Sequence, residues 1–242
     1  MTLRFAQRLL ITAIAAFAGF ALVAASPPAK PAARPVAARQ NWNATITRTA
    51  EGHLLGNPAA AVKLVEFISY TCPHCAHFEK ESADQLRLGF IAGGKGSIEV
   101  RSFVRDPIDM TVALLTHCGP RERFFVRHSV FLRAQDTWIQ PLQRSSQAQQ
   151  QRWFTGDMAT RLRYIAADFH LYDIMRTLGF DRPAVDRCLA NTALADQLAR
   201  QTAAAQDKYF VTGTPSFMLD GALLAGTHDW GSLRPQLEVR TR

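Results

Sequence analysis

Four consecutive residues, Cys72-Pro73-His74-Cys75, place two thiols two residues apart. That spacing lets the sulfurs close a small disulfide and open it again, so the chemistry on offer is thiol–disulfide exchange. The attacking species is the thiolate. A thiol with a pKa of about 8.5 is only about 3% ionised at pH 7, whereas one lowered to about 5 is about 99% ionised. The apolar run Val62 to Tyr70 before the motif reads as a buried strand, and Ala76-His77-Phe78-Glu79-Lys80 after it reads as a helix. A helix start offers unpaired N–H groups and a partial positive charge, and both favour a thiolate at Cys72. The competing use of two such cysteines is half of a zinc site. His74, His77 and His117 are available, but there is no second C-x-x-C or close Cys/His pair, so no metal is expected.

These residues need a scaffold, and the chain supplies one in order. Thr45 to Thr49 alternates as a first, edge strand, and Gly52, Gly56, Asn57 and Pro58 mark turns. Val62 to Ile68 is the central strand, apolar on both faces as in a strand covered by helices on both sides. Glu66 sits between Leu64 and Ile68 on one face, and a carboxylate there requires a reason. The motif helix is expected to run to about Phe90, where Gly89, Gly93 and Gly94 stop it. Ser97 to Val104 reads as the next strand. From Asp106 to about Leu178 apolar residues recur at helical spacing, for example Phe124, Phe125, His128, Phe131 and Leu132, which describes core-facing stripes of a small helical bundle. Asp181-Arg182-Pro183 opens a short helix holding Cys188, and Thr192 to about Lys208 forms a longer one. Gly213-Thr214-Pro215 precedes a hairpin, Ser216 to Leu219, turn Asp220-Gly221 and return strand Ala222 to Ala225. Asp229 to about Leu237 reads as a terminal helix, with Pro235 a candidate stop.

The chain has 242 residues, 48% hydrophobic and 20% charged, enough for one domain carrying an insertion. Five of its eight units of net positive charge lie in residues 1–40, so the body is nearly neutral and nucleic-acid binding is not expected. Residues 1–25 read as a signal peptide: Arg4 and Arg8 lead an uncharged run, Leu9 to Ala25, that ends in small residues before Ser26. An uncleaved membrane anchor is the alternative. Export places the cysteines in an oxidising compartment. Residues 26–44, rich in Pro and Ala, read as a linker, and residues 45–242 as the domain.

The order strand, C-x-x-C, helix, strand, helical insertion, helix, Thr-Pro and hairpin resembles the thioredoxin superfamily, and within it the DsbA-like family of exported disulfide oxidoreductases. The resemblance covers roughly Ala61 to the C-terminus. It is strongest at Phe67 to Glu79 and at Val211-Thr212-Gly213-Thr214-Pro215-Ser216-Phe217. It implies an α/β fold, a thioredoxin-like fold with an inserted helical domain at about 106–180. It also implies roles. Cys72 is the nucleophile and Cys75 the buried resolving thiol. Pro73 and His74 match the dipeptide of oxidising members, where the histidine stabilises the Cys72 thiolate. Pro215 matches the cis-proline facing the disulfide, exposing the preceding backbone for a client. Thr214 departs from the valine of the strongest oxidants, which leaves the redox poise open. Glu66 occupies the buried acid position that exchanges a proton with Cys75, although a carboxylate paired with lysine is the bland alternative. Glu79 matches a second acidic position, equally explained by a solvated helix face. Cys118 and Cys188 match a second disulfide of some relatives, with two buried free thiols as the alternative.

The reading is therefore a periplasmic dithiol oxidase without cofactor, most simply a monomer, serving unfolded exported clients with free thiols and a DsbB-type membrane reoxidase. The alternatives are an isomerase or reductase using the same site, or a non-enzymatic binding protein whose C-x-x-C is a static staple.

Overall fold

The computed structural model describes residues 40–241. The expected signal peptide and all but the end of the expected linker lie outside them. The linker's last residues, Trp42–Ala44, form a 3-10 turn.

Six strands make one mixed sheet. In chain order they are β1 (Ile46–Arg48), β2 (His53–Gly56), β3 (Val62–Ile68), β4 (Gly96–Ser102), β5 (Ser216–Leu219) and β6 (Ala222–Leu223), and in space β1-β2-β4-β3-β5-β6. β3 runs parallel to β4, pairing Glu66 with Val100, and antiparallel to β5, pairing Glu66 with Phe217. A strand flanked on both sides and covered on both faces is the most rigid place in such a sheet, and β3 ends one turn before the motif. β2 lies where only turn residues were expected. It is four residues long, the last of them Gly56, too short to show alternation. A Cβ at Gly52 would run into the Val100 carbonyl, so the glycine permits the close approach to β4.

α1 (Pro73–Gln85) leaves β3 with Cys72 as its N-cap and Pro73 at its first position, where a missing N–H costs nothing. The helix continues past Gln85 to Ile91, close to the expected Phe90, but changes its winding on the way. Leu86–Ile91 widens into a π-helical segment that buries Leu86, Phe90 and Ile91. After β4 comes the helical insertion: α2 (Pro107–Thr116), α3 (Phe124–Arg133), α4 (Gln135–Trp138), α5 (Pro141–Arg144), α6 (Gln147–Arg152), α7 (Met158–Asp168) and α8 (Leu171–Thr177). α9 (Arg182–Leu189) and α10 (Thr192–Tyr209) return the chain to β5. The β5–β6 turn has positive φ at both Asp220 and Gly221, as the Asp-Gly pair requires. α11 (Trp230–Thr241) closes the fold and passes through Pro235 without stopping.

Each face of β3 has its own core. Leu64 and Ile68 join Phe78, Val112, Phe125 and Leu162 in the main cluster. Phe67 on the other face packs with Phe103, Ala205, Val211 and Met218. Among the described residues no helix is long and apolar enough to cross a membrane.

A disulfide joins Cys118, just beyond α2, to Cys188 in α9, with a sequence separation of 70. The loop-closure model assigns such a crosslink about 4 kcal/mol, or on the order of 10 °C in a domain of this size. The Cys118→Ala, Cys188→Ala double variant is expected to melt lower by about that much while Cys72 keeps its thiol reactivity. Differential scanning calorimetry with parallel alkylation checks both, and an unchanged melting temperature would refute a stabilising bridge.

Candidate active site

The site is built at the C-terminal end of β3. The chain leaves the sheet at Ser69-Tyr70-Thr71, the Cys72 N–H donates to the Ser69 carbonyl at 3.2 Å, and the Cys72 carbonyl accepts the first helical bond, from Ala76 N–H at 3.3 Å. The two motif sulfurs are unbonded thiols at the start of α1. Cys75 is fully buried. Cys72 is only 2% exposed, which differs from the open nucleophile that its helix-start position suggests. The reason is the loop carrying the cis peptide bond Thr214–Pro215, which lies against the motif. The Cys72 thiol donates to the Thr214 carbonyl at 3.1 Å. The Thr214 hydroxyl is buried without a partner.

The two thiols are pushed in opposite directions. The Cys72 pKa is lowered to about 5, above all by the hydrogen bond from the Cys75 thiol. Burial opposes this, and the backbone N–H groups of Cys75 and His74 assist. Cys75 is pushed well up by burial, by its bond to Cys72 and by the Cys72 and Glu66 charges. The pair thus combines one thiol that ionises readily with one that holds its proton. Pro73 and His74 are exposed, and His74 reaches the thiolate through its backbone N–H. His77 is also exposed and pairs with Glu81 at 3.1 Å.

Glu66 is 3% exposed, and burial followed by the charge of Glu79 holds its carboxyl well above the usual range. It has no lysine partner among the ion pairs of the described residues. It faces a cavity of about 30 Å³ with mostly apolar walls, among them Leu55, Phe78 and Phe125, to which Glu79, Ser82, Arg87 and His128 add polar groups, room for a water molecule beside those groups. Glu79 is buried, not on a solvated helix face, because α3 packs over that side of α1. It accepts from Ser129 Oγ at 2.5 Å and Arg133 Nε at 3.4 Å and lies 3.7 Å from His128 Nε2. Burial keeps His128 below its ordinary pKa, and its Nδ1 pairs with the Tyr70 hydroxyl at 3.1 Å. His128 sat unnoticed in an apolar helical stripe, and nothing local in the sequence marks it as a site residue. Among the described residues no cluster of three His, Cys, Asp or Glu side chains is arranged to hold a metal ion.

With a reduced, polarised C-x-x-C facing a cis-proline in a mixed sheet, the class is defined. Residues 48–238 match the thioredoxin family, and the chain belongs to that family. Among solved structures it is similar to a protein-disulfide isomerase from Novosphingobium aromaticivorans, at 62% identity and TM-score 0.78, covering 80% of this chain and 100% of that one. It also shares its fold with Wolbachia pipientis alpha-DsbA1, at 21% identity and TM-score 0.59, covering 78% of this chain and 89% of that one. A Rickettsia felis chain named as a protein-disulfide oxidoreductase is 27% identical over 169 residues, 69% of this chain and 52% of that protein. The chain therefore spans about half the length of the curated relatives it matches.

Glu66 is buried beside that cavity, its charge acts on Cys75, and exchange of the Cys75 proton with it is open to test. Glu66→Gln keeps the shape of the protonated acid but cannot exchange that proton. Cleavage of a mixed disulfide at Cys72 by Cys75 is expected to slow by up to about 10² with the fold intact. Stopped-flow measurement of that step checks it, and a wild-type rate across about pH 6 to 8 would exclude the proton-exchange role.

Proposed function

We propose that the protein is an exported dithiol oxidase that introduces disulfides into folding proteins. The observation that carries this reading is the polarised pair, with Cys72 lowered to about 5 and Cys75 raised beside the buried Glu66. In the oxidised form a client thiolate attacks the Cys72 sulfur. A client–Cys72 bond forms, the Cys72–Cys75 bond breaks, and Cys75 takes a proton from Glu66 as it leaves. A second client thiolate then attacks the client sulfur of the mixed disulfide. The client leaves oxidised, and Cys72 leaves as a thiolate. A leaving group that is a stable anion speeds this step and favours the reduced enzyme, which is the thermodynamic meaning of a strong oxidant. Pro215 and Thr214 hold the client backbone, and the unpartnered Thr214 hydroxyl suits a polar group arriving there. Clients are unfolded exported chains with free thiols, a DsbB-type membrane protein restores the disulfide, and residues 1–25 direct export to the periplasm, where the protein acts as a monomer.

The second reading is an isomerase. It is favoured by the printed name of the Novosphingobium chain and by threonine rather than valine before Pro215. Equilibration of the Cys72–Cys75 pair with glutathione buffers separates the two. The oxidase reading expects a potential more oxidising than about −180 mV, where isomerases poise. A value at or below that moves the assignment to isomerase or reductase, and a pair that resists reduction altogether makes it a static staple.

A further inference from the structure

The turn that presents Cys72 is held almost entirely from outside its own strand and helix. Gln135, the first residue of α4 and only 4% exposed, donates its amide hydrogens to the carbonyls of Tyr70 at 2.6 Å and Cys72 at 2.9 Å. Asp109 of α2, 1% exposed, accepts from the Tyr70 N–H at 2.8 Å and from Ser69 Oγ at 2.5 Å. Asp106, the N-cap of α2, accepts from Thr71 Oγ1 at 2.8 Å. All three holders belong to the helical insertion. The peptide group on one side of Tyr70 is held by its N–H and the one on the other side by its C=O.

We propose that Gln135 is a positioning residue for Cys72, and that with Asp109 and Asp106 it makes the insertion a clamp on the redox turn. The Cys72 carbonyl already accepts the Ala76 N–H. The Gln135 amide gives it a second donor and fixes the Cys72 main chain where α1 begins. That orientation aims the sulfur at the N–H groups of His74 and Cys75. Releasing the carbonyls of Tyr70 and Cys72 lets the N-cap residue rotate and weakens the contacts that stabilise the thiolate. A buried amide whose two hydrogens both go to one active-site turn is also an expensive group to keep for packing alone, since an apolar side chain would fill the space without desolvation. This role rests on Cys72 being the reactive thiol.

The test is the pH dependence of iodoacetamide alkylation of reduced Cys72 in the full-length protein, with melting temperature recorded alongside. Wild type reports the reading of Cys72 itself. The displacement of a variant from wild type reports the clamp, so the two fail separately. Gln135→Met keeps length and removes both donors, and the Cys72 transition is expected to move up by one unit or more. Thr71→Val keeps shape, removes the hydroxyl's bonds to Asp106, Arg105 and Ser69 while leaving both Gln135 bonds in place, and is expected to shift the transition the same way by less. A folded Gln135→Met protein titrating where wild type does overturns the proposal. If that variant does not fold, Thr71→Val titrating at the wild-type position overturns it instead.

Discussion

One sulfur must ionise more readily than the sulfur a single turn further into the same helix. Everything around the motif serves that difference. The start of α1 supplies N–H groups and positive potential to Cys72. The interior around β3 denies Cys75 a solvent that would stabilise its charge. The Cys75 thiol, unable to lose its own proton cheaply, donates a hydrogen bond to Cys72 and becomes the largest single cause of its lowered pKa. The two thiols therefore act as one unit in which the burial of the second activates the first.

The same logic explains the carboxyls. Glu66 and Glu79 lie against one small cavity, and ionisation of Glu66 is opposed first by burial and then by the charge of Glu79. Glu79 is held by Ser129 and Arg133 and lies 3.7 Å from His128. Glu66 has no such partners among the described residues, and its carboxyl stays well above the usual range. The insertion is essential to this arrangement. α3 brings His128, Ser129 and Arg133 over α1, while α2 and α4 hold the turn before it.

Local signals carried the reading a long way. The buried strand, the N-cap cysteine with proline at the first helical position, and the Asp-Gly hairpin all obey rules that act over a few residues, and each appears in the structure. Glu66 was legible because a carboxylate between Leu64 and Ile68 contradicts its surroundings. What was not legible depends on distant segments meeting. Thr214 lies 142 residues from the Cys72 sulfur that it covers, and only the family resemblance, not the local pattern, placed it at the site. Gln135 lies 63 residues from the Cys72 carbonyl, in a helix of four residues that carries no pattern of its own. Glu79 looked ambiguous because the face of α1 that it occupies becomes interior only when α3 packs on it. β2 escaped because four residues, the last of them Gly56, carry too little alternation to read.

The most direct test of the account is an ultraviolet titration of the thiolate in the reduced protein, compared with the Cys72→Ser variant. The account predicts one transition near pH 5, lost in the variant, with Cys75 remaining protonated to far higher pH. A Cys72 transition only above about pH 8, where an ordinary thiol ionises, would contradict it.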